Sequence, residues 1–246
     1  MQNGMQSLRT FYREIRVVAK QCLRIEPLVL RELSVPLEFH GNDYCGWSIP
    51  ANSLQATSVV VDVGLGEDVS FSRSLIDKFN CRVHGFDPTP RAISYAKSLA
   101  CDSLVLHEFG VSATTGAATF YLPNDESHVS GSLIPEQHVG RRRMEVRLLG
   151  MQDVLRAIGA DHVDLLKVDI EGAEYDLLAS VEFRACAPRI GLLCIEFHHR
   201  WSTYGRDATV RAVQILRDLG FLCVWRSKAS NEEFTFVNTR RIAHGK

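Results

Sequence analysis

The sequence predicts an α/β fold: a mostly parallel seven-stranded sheet with helices on both faces, finished by a terminal antiparallel hairpin. Three observations predict it. From residue 58 onward, short β-branched or apolar runs alternate with stretches of helical period. The first run ends in Asp62-Val63-Gly64-Leu65-Gly66, a glycine-bearing turn of the kind that open sheets place beyond a strand's carboxyl end. The last two runs, 221–225 and 233–237, are joined by a polar link too short for a parallel crossover, so they must pair antiparallel.

Taken in order, residues 7–24 space Leu8, Phe11, Ile15, Val18 and Cys22 three or four apart. That is the stripe of an amphipathic helix, expected to pack on the rest of the domain. Residues 34–57 hold Val35-Pro36, Gly41-Asn42-Asp43 and Ile49-Pro50 and read as an irregular approach segment. Residues 1–57 are therefore expected to form a helical and irregular cap, and 58–246 the α/β domain. Within that domain 58–63 is a strand, and Phe71, Leu75, Ile76 and Phe79 mark a helix face. A second strand, 81–87, follows. Thr89 caps and Pro90 opens the next helix, which carries Ile93, Ala96 and Ala100 on one side. Residues 103–107 are a third strand. Two more, 118–122 and 144–148, flank a polar loop containing Asn124, Asp125, Glu126, Ser127, His128 and Ser130, placed as an acceptor lid. Met151, Val154, Leu155 and Ile158 mark a helix, 163–168 a strand, 172–181 a helix, and 190–197 the most apolar strand. Val210, Val213, Leu216 and Leu219 mark the last helix, which Gly220 stops.

Composition narrows the function classes. A formal net charge of −1 disfavours a nucleic-acid partner, and the run Arg141, Arg142, Arg143 reads as a solvated face. The seven cysteines include no C-x-x-C pair, so neither a zinc knuckle nor a disulfide framework is indicated. No apolar stretch is long enough to span a bilayer, and the N-terminus lacks the apolar core of a signal peptide. A cytoplasmic protein is expected, and nothing in the sequence sets an oligomeric state.

The chemistry gathers at strand ends. At the first turn Gly64 and Gly66 let backbone approach a ligand closely, with Asp62 before them and Leu65 between them. A dinucleotide fingerprint would require a third glycine where Val69 stands. Glu67 and Asp68 would repel a pyrophosphate and suit the sulfonium and ammonium of S-adenosylmethionine. Phe86 and Asp87 close the second strand, where a carboxylate can accept from ribose hydroxyls. These residues, with Asp169, are the expected cofactor contacts. The rival reading is a nicotinamide-dependent oxidoreductase, against which stand Val69, the acidic turn and the terminal hairpin. A non-catalytic binding protein is the third.

A second corner, Asp169-Ile170-Glu171-Gly172, ends the 163–168 strand at the same sheet edge. Lys167, inside that strand, needs a carboxylate partner, because a buried unpaired ammonium is costly. Beyond the 190–197 strand stand His198 and His199, which alternate across the chain, so one of the two faces an acceptor. Glu171 and that histidine are the expected catalytic residues, the imidazole acting as a base near its ordinary pKa of about 6.5. Carboxylates and imidazole also suit a divalent metal, but ligands drawn from separate strands are weak evidence, and a metal-free corner is expected.

Several segments together resemble the FkbM-type methyltransferases, over about residues 45 to 200. The most specific is LLKVDIEGAEYDLL at 165–178, with Lys167, Asp169, Glu171, Gly172 and Glu174 in the family's pattern. HEFGVSATTGAATFY at 107–121 and LLCIEFHHR at 192–200 are similar to further family segments. The first turn departs from the usual family form, in which Asn or Ala follows the first glycine. VDVGLGEDVSFS, GFDPTPRAI and HVSGSL resemble instead a subgroup with a Gly-Glu-Asp turn. The resemblance implies a Rossmann-like class I methyltransferase fold, S-adenosylmethionine as donor, and oxygen as the usual acceptor atom on a sugar, secondary metabolite or other small molecule.

Overall fold

The computed structural model describes residues 2–125, 130–135 and 139–242. In chain order the elements are α1 (Gln2–Cys22), β1 (Leu37–Gly41), β2 (Gly46–Pro50), β3 (Val59–Val63), α2 (Ser70–Phe79), β4 (Arg82–Phe86), α3 (Pro90–Ser98) and β5 (Leu104–His107). Then come β6 (Gly110–Val111), β7 (Gly116–Pro123), β8 (Val139–Leu149), α4 (Met151–Ile158), β9 (Val163–Val168), α5 (Glu174–Ala179) and α6 (Val181–Cys186). The chain closes with β10 (Ile190–Glu196), α7 (Gly205–Asp218), β11 (Phe221–Arg226), β12 (Glu233–Asn238) and α8 (Thr239–Ile242).

Seven strands form the main sheet in the order β11-β12-β10-β9-β3-β4-β5. β5, β4, β3, β9 and β10 run parallel, and β12 lies antiparallel between β10 and β11. The chain builds outward from β3 through β4 to β5, then returns to the other side of β3 with β9 and β10. β3 and β9 therefore flank the topological switch point, where open sheets bind ligands.

Burial on both faces explains the strand sequences. Val60 and Leu165 face one core with Trp47, Phe71 and Leu75, while Val61 and Leu166 face the other with Met151, Leu177, Phe183 and Leu216. A strand covered on both sides reads as a nearly continuous apolar run. In β9 only Lys167 among the fully buried positions breaks it. Helix ends follow local chemistry: Thr89 accepts from the Ala92 N–H at the start of α3, and Gly220, at φ +97°, ends α7 in the left-handed region.

Two sequence expectations are corrected. Residues 34–57 are not irregular: β1 and β2 form an antiparallel hairpin turned at 42–45. Its Trp47 and Ile49 are buried in the second core, Trp47 edge-on to Phe71 with ring centroids 5.2 Å apart. The stripe of α1 does not pack on the domain either, for Phe11, Ile15 and Val18 are 57%, 50% and 55% exposed. A tether just past the helix sets its rotation. The Gln21 side chain donates to the Pro27 carbonyl and to Asn231, and Lys20 pairs with buried Glu26 at 3.3 Å. That holds the Arg13, Arg16, Val17 and Lys20 face inward. β8 lies between β6 and β7 in a separate three-stranded sheet, parallel to β6 and antiparallel to β7. Glu126, Ser127 and His128 of the expected lid lie outside the described residues, as does the side chain of Arg141.

Candidate active site

A cavity of about 790 Å³ opens at the switch point, within the 300–1,000 Å³ usual for small-molecule sites. Its floor is the turn after β3 and the corner after β9. Phe86 and Asp87 from β4, Phe120 and Leu148 from the small sheet, and Tyr44 and Cys45 from the β1–β2 turn form the sides. Arg13, Arg16, Val17 and Lys20 of α1 line the mouth.

The glycine turn is set by close backbone approach. Gly64 sits at φ +82°, and a β-carbon on it would lie 1.7 Å from the Asp169 carbonyl oxygen. Any side chain there would push the two strand ends apart. Leu65 sends its side chain into the core, 3% exposed, and presents only backbone to the cavity side. The N–H groups of Leu65 and Gly66 both donate to Asp87 Oδ2 at 3.1 Å.

Asp87 was expected to meet a ribose. In the structure its other oxygen accepts from the Thr89 N–H at 2.9 Å and hydroxyl at 2.6 Å. Four donors on one carboxylate fill its acceptor capacity. It lies in the cavity wall as a buttress between the turn and the α3 cap. Phe86 beneath it is fully buried and stacks on His107 at 4.3 Å.

Glu67 and Asp68 line the cavity, but the carboxylate oxygens of both already accept hydrogen bonds from neighbouring residues. Arg91 of α3 reaches both oxygens of Glu67 at 2.7 Å. Asp68 accepts from the Ser70 N–H at 2.8 Å, starting α2, and from Asn42 of the β1–β2 turn at 2.7 Å. More carboxylates gather at the second corner, after β9.

There the sheet register places Lys167 opposite Asp62. The ammonium donates to the Gly64 carbonyl at 2.6 Å and lies 3.2 Å from Asp62 and 3.6 Å from Asp169. Burial alone would lower its pKa, but the charges of Asp62 and Asp169 outweigh that and raise it. Asp62 also accepts from the Ser72 hydroxyl at 2.5 Å, so its carboxylate faces Lys167 and α2 instead of the cavity floor. Asp169 is pushed up to about 6, chiefly by burial; Lys167 opposes the rise and Glu171 adds to it.

Glu171 occupies the left-handed region at φ +50°, a conformation that costs a residue with a side chain of order 1–2 kcal/mol. The Ser132 hydroxyl donates to its carbonyl at 2.6 Å, tying this corner to the segment after the described lid residues. Its carboxylate reaches His198 Nε2 at 3.1 Å. Behind the ring, fully buried Glu174 accepts from the His198 N–H, lies 3.0 Å from Nδ1, and accepts from the Gly172 N–H at 2.9 Å. Burial would lower the His198 pKa, but Glu174 and Glu171 raise it well above the usual value. The two carboxylates thus favour the protonated imidazole, whereas the expected base is the neutral form.

His199 points the other way, as the alternation requires. Its Nε2 lies 2.5 Å from Glu26, which also accepts from Arg200 at 3.0 Å and from Asn231 at 3.2 Å. His199 is therefore part of the tether that holds the segment after α1, apart from the cavity wall. Sequence reasoning named Glu174 only within the family motif and gave no role to Glu26 or Glu196. Glu196 ends β10 at the cavity, and its carboxyl is raised well above the usual range by burial, with the Asp169 charge adding. Only the position of Glu174 inside the motif at 165–178 could have flagged it.

The fold and this site define a class: an open α/β domain with a ligand cavity at its switch point and an acidic corner facing it. The methyltransferase FkbM domain matches residues 60–223, and the chain belongs to that family. S-Adenosylmethionine is the cofactor that membership carries. No curated protein matches the chain. Among solved structures it is similar to a methyltransferase FkbM from Methylobacillus flagellatus KT, at 16% identity and TM-score 0.48 over 75% of this chain. The match spans 44% of that protein's length. It is similar as well to the Methanococcus jannaschii fibrillarin pre-rRNA processing protein, at 12% identity and TM-score 0.46 over 74% of this chain and 67% of that one. A third likeness is SMU.1697c from Streptococcus mutans in complex with SAH, at 11% identity and TM-score 0.42 over 74% of this chain and 88% of that one.

Proposed function

We propose that the chain is an O-methyltransferase acting on a hydroxyl of a small-molecule or glycan acceptor. The observation that carries this reading is the contact of Gly64 with the Asp169 carbonyl, which sets the donor turn directly against the acidic corner in one cavity. Gly64, Leu65, Gly66, Phe86 and Asp169 would hold the methionine end and ribose of the donor, with Glu67 and Asp68 at the rim. Asp62 acts on the donor through Lys167, and Asp87 by holding the turn.

The acceptor oxygen attacks the sulfonium methyl. The new O–C bond forms as the C–S bond breaks, and sulfur leaves with the electron pair as a neutral thioether. The acceptor's proton passes to the Asp169–Glu171 pair. Asp169, at about 6, is matched to neutral pH for that task. His198 holds Glu171 in place as its cationic partner. Orientation carries much of the rate, since the sulfonium is already activated. Isothermal titration with S-adenosylhomocysteine tests the reading: one equivalent should bind per chain, and no heat at millimolar ligand would overturn it.

A further inference from the structure

We propose that Asp169, Glu171 and His198 form a divalent-cation site that takes the acceptor oxygen as an additional ligand. The inference rests on the reading that the acceptor lies at this corner.

The geometry is that of a ligand set. One donor atom from each residue can be chosen so that all lie within 4.8 Å of one another. His198 Nε2 lies 3.1 Å from Glu171 and 3.9 Å from Asp169 Oδ1, while the other Asp169 oxygen is turned to Lys167. A cation bound at about 2.0–2.2 Å to each of three ligands holds neighbouring ligand atoms roughly 3–4 Å apart. These three atoms need little movement to reach that arrangement. Two carboxylates with one imidazole suit Mn²⁺, Co²⁺ or Zn²⁺.

Two further observations point the same way. The ring of His198 is fixed from behind by Glu174, which takes both its N–H and Nδ1 and is itself fully buried. A carboxylate on the far nitrogen is the usual way to orient a metal-binding imidazole, because it fixes the tautomer with Nε2 free toward the ion. Charge balance is the other. Among the described residues, Asp62, Asp169, Glu171 and Glu174 meet around this corner, where Lys167 pairs with Asp62 and Asp169, and His198 with Asp169, Glu171 and Glu174. Without a metal, a proton on Nε2 bridges to Glu171 where the cation would sit. When bound, the ion would polarise the acceptor hydroxyl and lower its pKa, so its proton would leave to solvent instead of to the Asp169–Glu171 pair that takes it in the metal-free corner, and the oxygen would remain as nucleophile.

The test is a Mn²⁺ titration of the full chain followed by electron paramagnetic resonance, which reads free aquo-Mn²⁺, with and without saturating S-adenosylhomocysteine. One Mn²⁺ should bind per chain below millimolar concentration. Glu171→Gln, a partly exposed position, and His198→Asn should each weaken it at least about thirtyfold. Glu174→Gln should weaken it about tenfold, in line with the 10–100-fold typical of such supporting groups. Asp77→Asn, a remote surface carboxylate, should leave it unchanged. Mn²⁺ that stays free at millimolar concentration while S-adenosylhomocysteine binds would overturn the metal site and leave the donor reading standing. Mn²⁺ bound equally well by Glu171→Gln would overturn it too. Loss of S-adenosylhomocysteine binding in the wild-type chain would instead count against the proposed function.

Discussion

Replacing Asp87 separates a residue that grips the donor from one that builds the place where the donor lies. Asp87→Ala strips acceptors from the N–H groups of Leu65, Gly66 and Thr89. A buried N–H left without a partner costs about 1–3 kcal/mol, while one that water can reach costs far less. Leu65 is the buried one, and the other two are partly open. Set against this, the variant no longer buries a carboxylate, whose pKa burial raises despite its hydrogen bonds. The net loss is about 1–2 kcal/mol. At roughly 2–4 °C per kcal/mol for a chain of this size, Tm should fall by about 2–8 °C. Asp87→Asn keeps the shape but presents an amide donor to one of the two donor pairs, so it should fall about half as far. Differential scanning calorimetry and S-adenosylhomocysteine titration on the same samples give the answer. Both quantities should drop together, with affinity down at least tenfold because the turn loosens. An unchanged Tm with lost affinity would refute the buttress and return Asp87 to the ribose.

The remaining predictions follow from the same contacts. Gly64→Ala puts a methyl group into the Asp169 carbonyl from a left-handed backbone, and should cost at least about 3 kcal/mol and abolish donor binding in the same calorimetric assays. A variant with full affinity would show that the two strand ends can part freely. At the tether, burial would raise the Glu26 carboxyl, but hydrogen bonds from His199, Asn231 and Arg200 bring it down to about 2. Since its folded pKa lies below the unfolded 4.5, its stabilisation is present above pH 4.5 and is lost as pH falls toward 2. Glu26→Ala should cost about 3 kcal/mol at neutral pH, as breaking a buried ion pair does, and flatten the acid limb of the stability profile. It should also open the chain to trypsin at Arg24; unchanged cleavage would show that the tether does not hold α1.

The main sheet was legible because each of its signals is local. Parallel strands covered on both faces read as apolar runs, and Thr89-Pro90 and Gly220 mark helix ends by their own chemistry. The need of Lys167 for a carboxylate could be read from desolvation cost, but its partners Asp62 and Asp169 come from strand register and a chain reversal. Alternation put His198 and His199 on opposite sides, while the choice between them depended on Glu174 and on Glu26, far apart in sequence. The β1–β2 hairpin escaped notice because its strands are short and Gly41-Asn42-Asp43 reads equally well as a loop. The outward stripe of α1 escaped for a different reason. Periodicity shows that a helix has an apolar face, but the rotation here is set by Gln21, Lys20 and Glu26, which the stripe does not include.

The contact between Gly64 and the Asp169 carbonyl bears on how this site can evolve. Donor turn and acidic corner touch through main-chain atoms, so substitution of neighbouring side chains leaves their spacing nearly untouched. On the proposed reading, new acceptors would be accommodated by changes along the cavity walls at Tyr44, Phe120 or Arg16, none of which sets that spacing. Drift in acceptor choice is thus uncoupled from the distance between the two reactants. The glycine at 64 is the point at which the two would become linked, and a lineage that lost it would have to rebuild both strand ends at once.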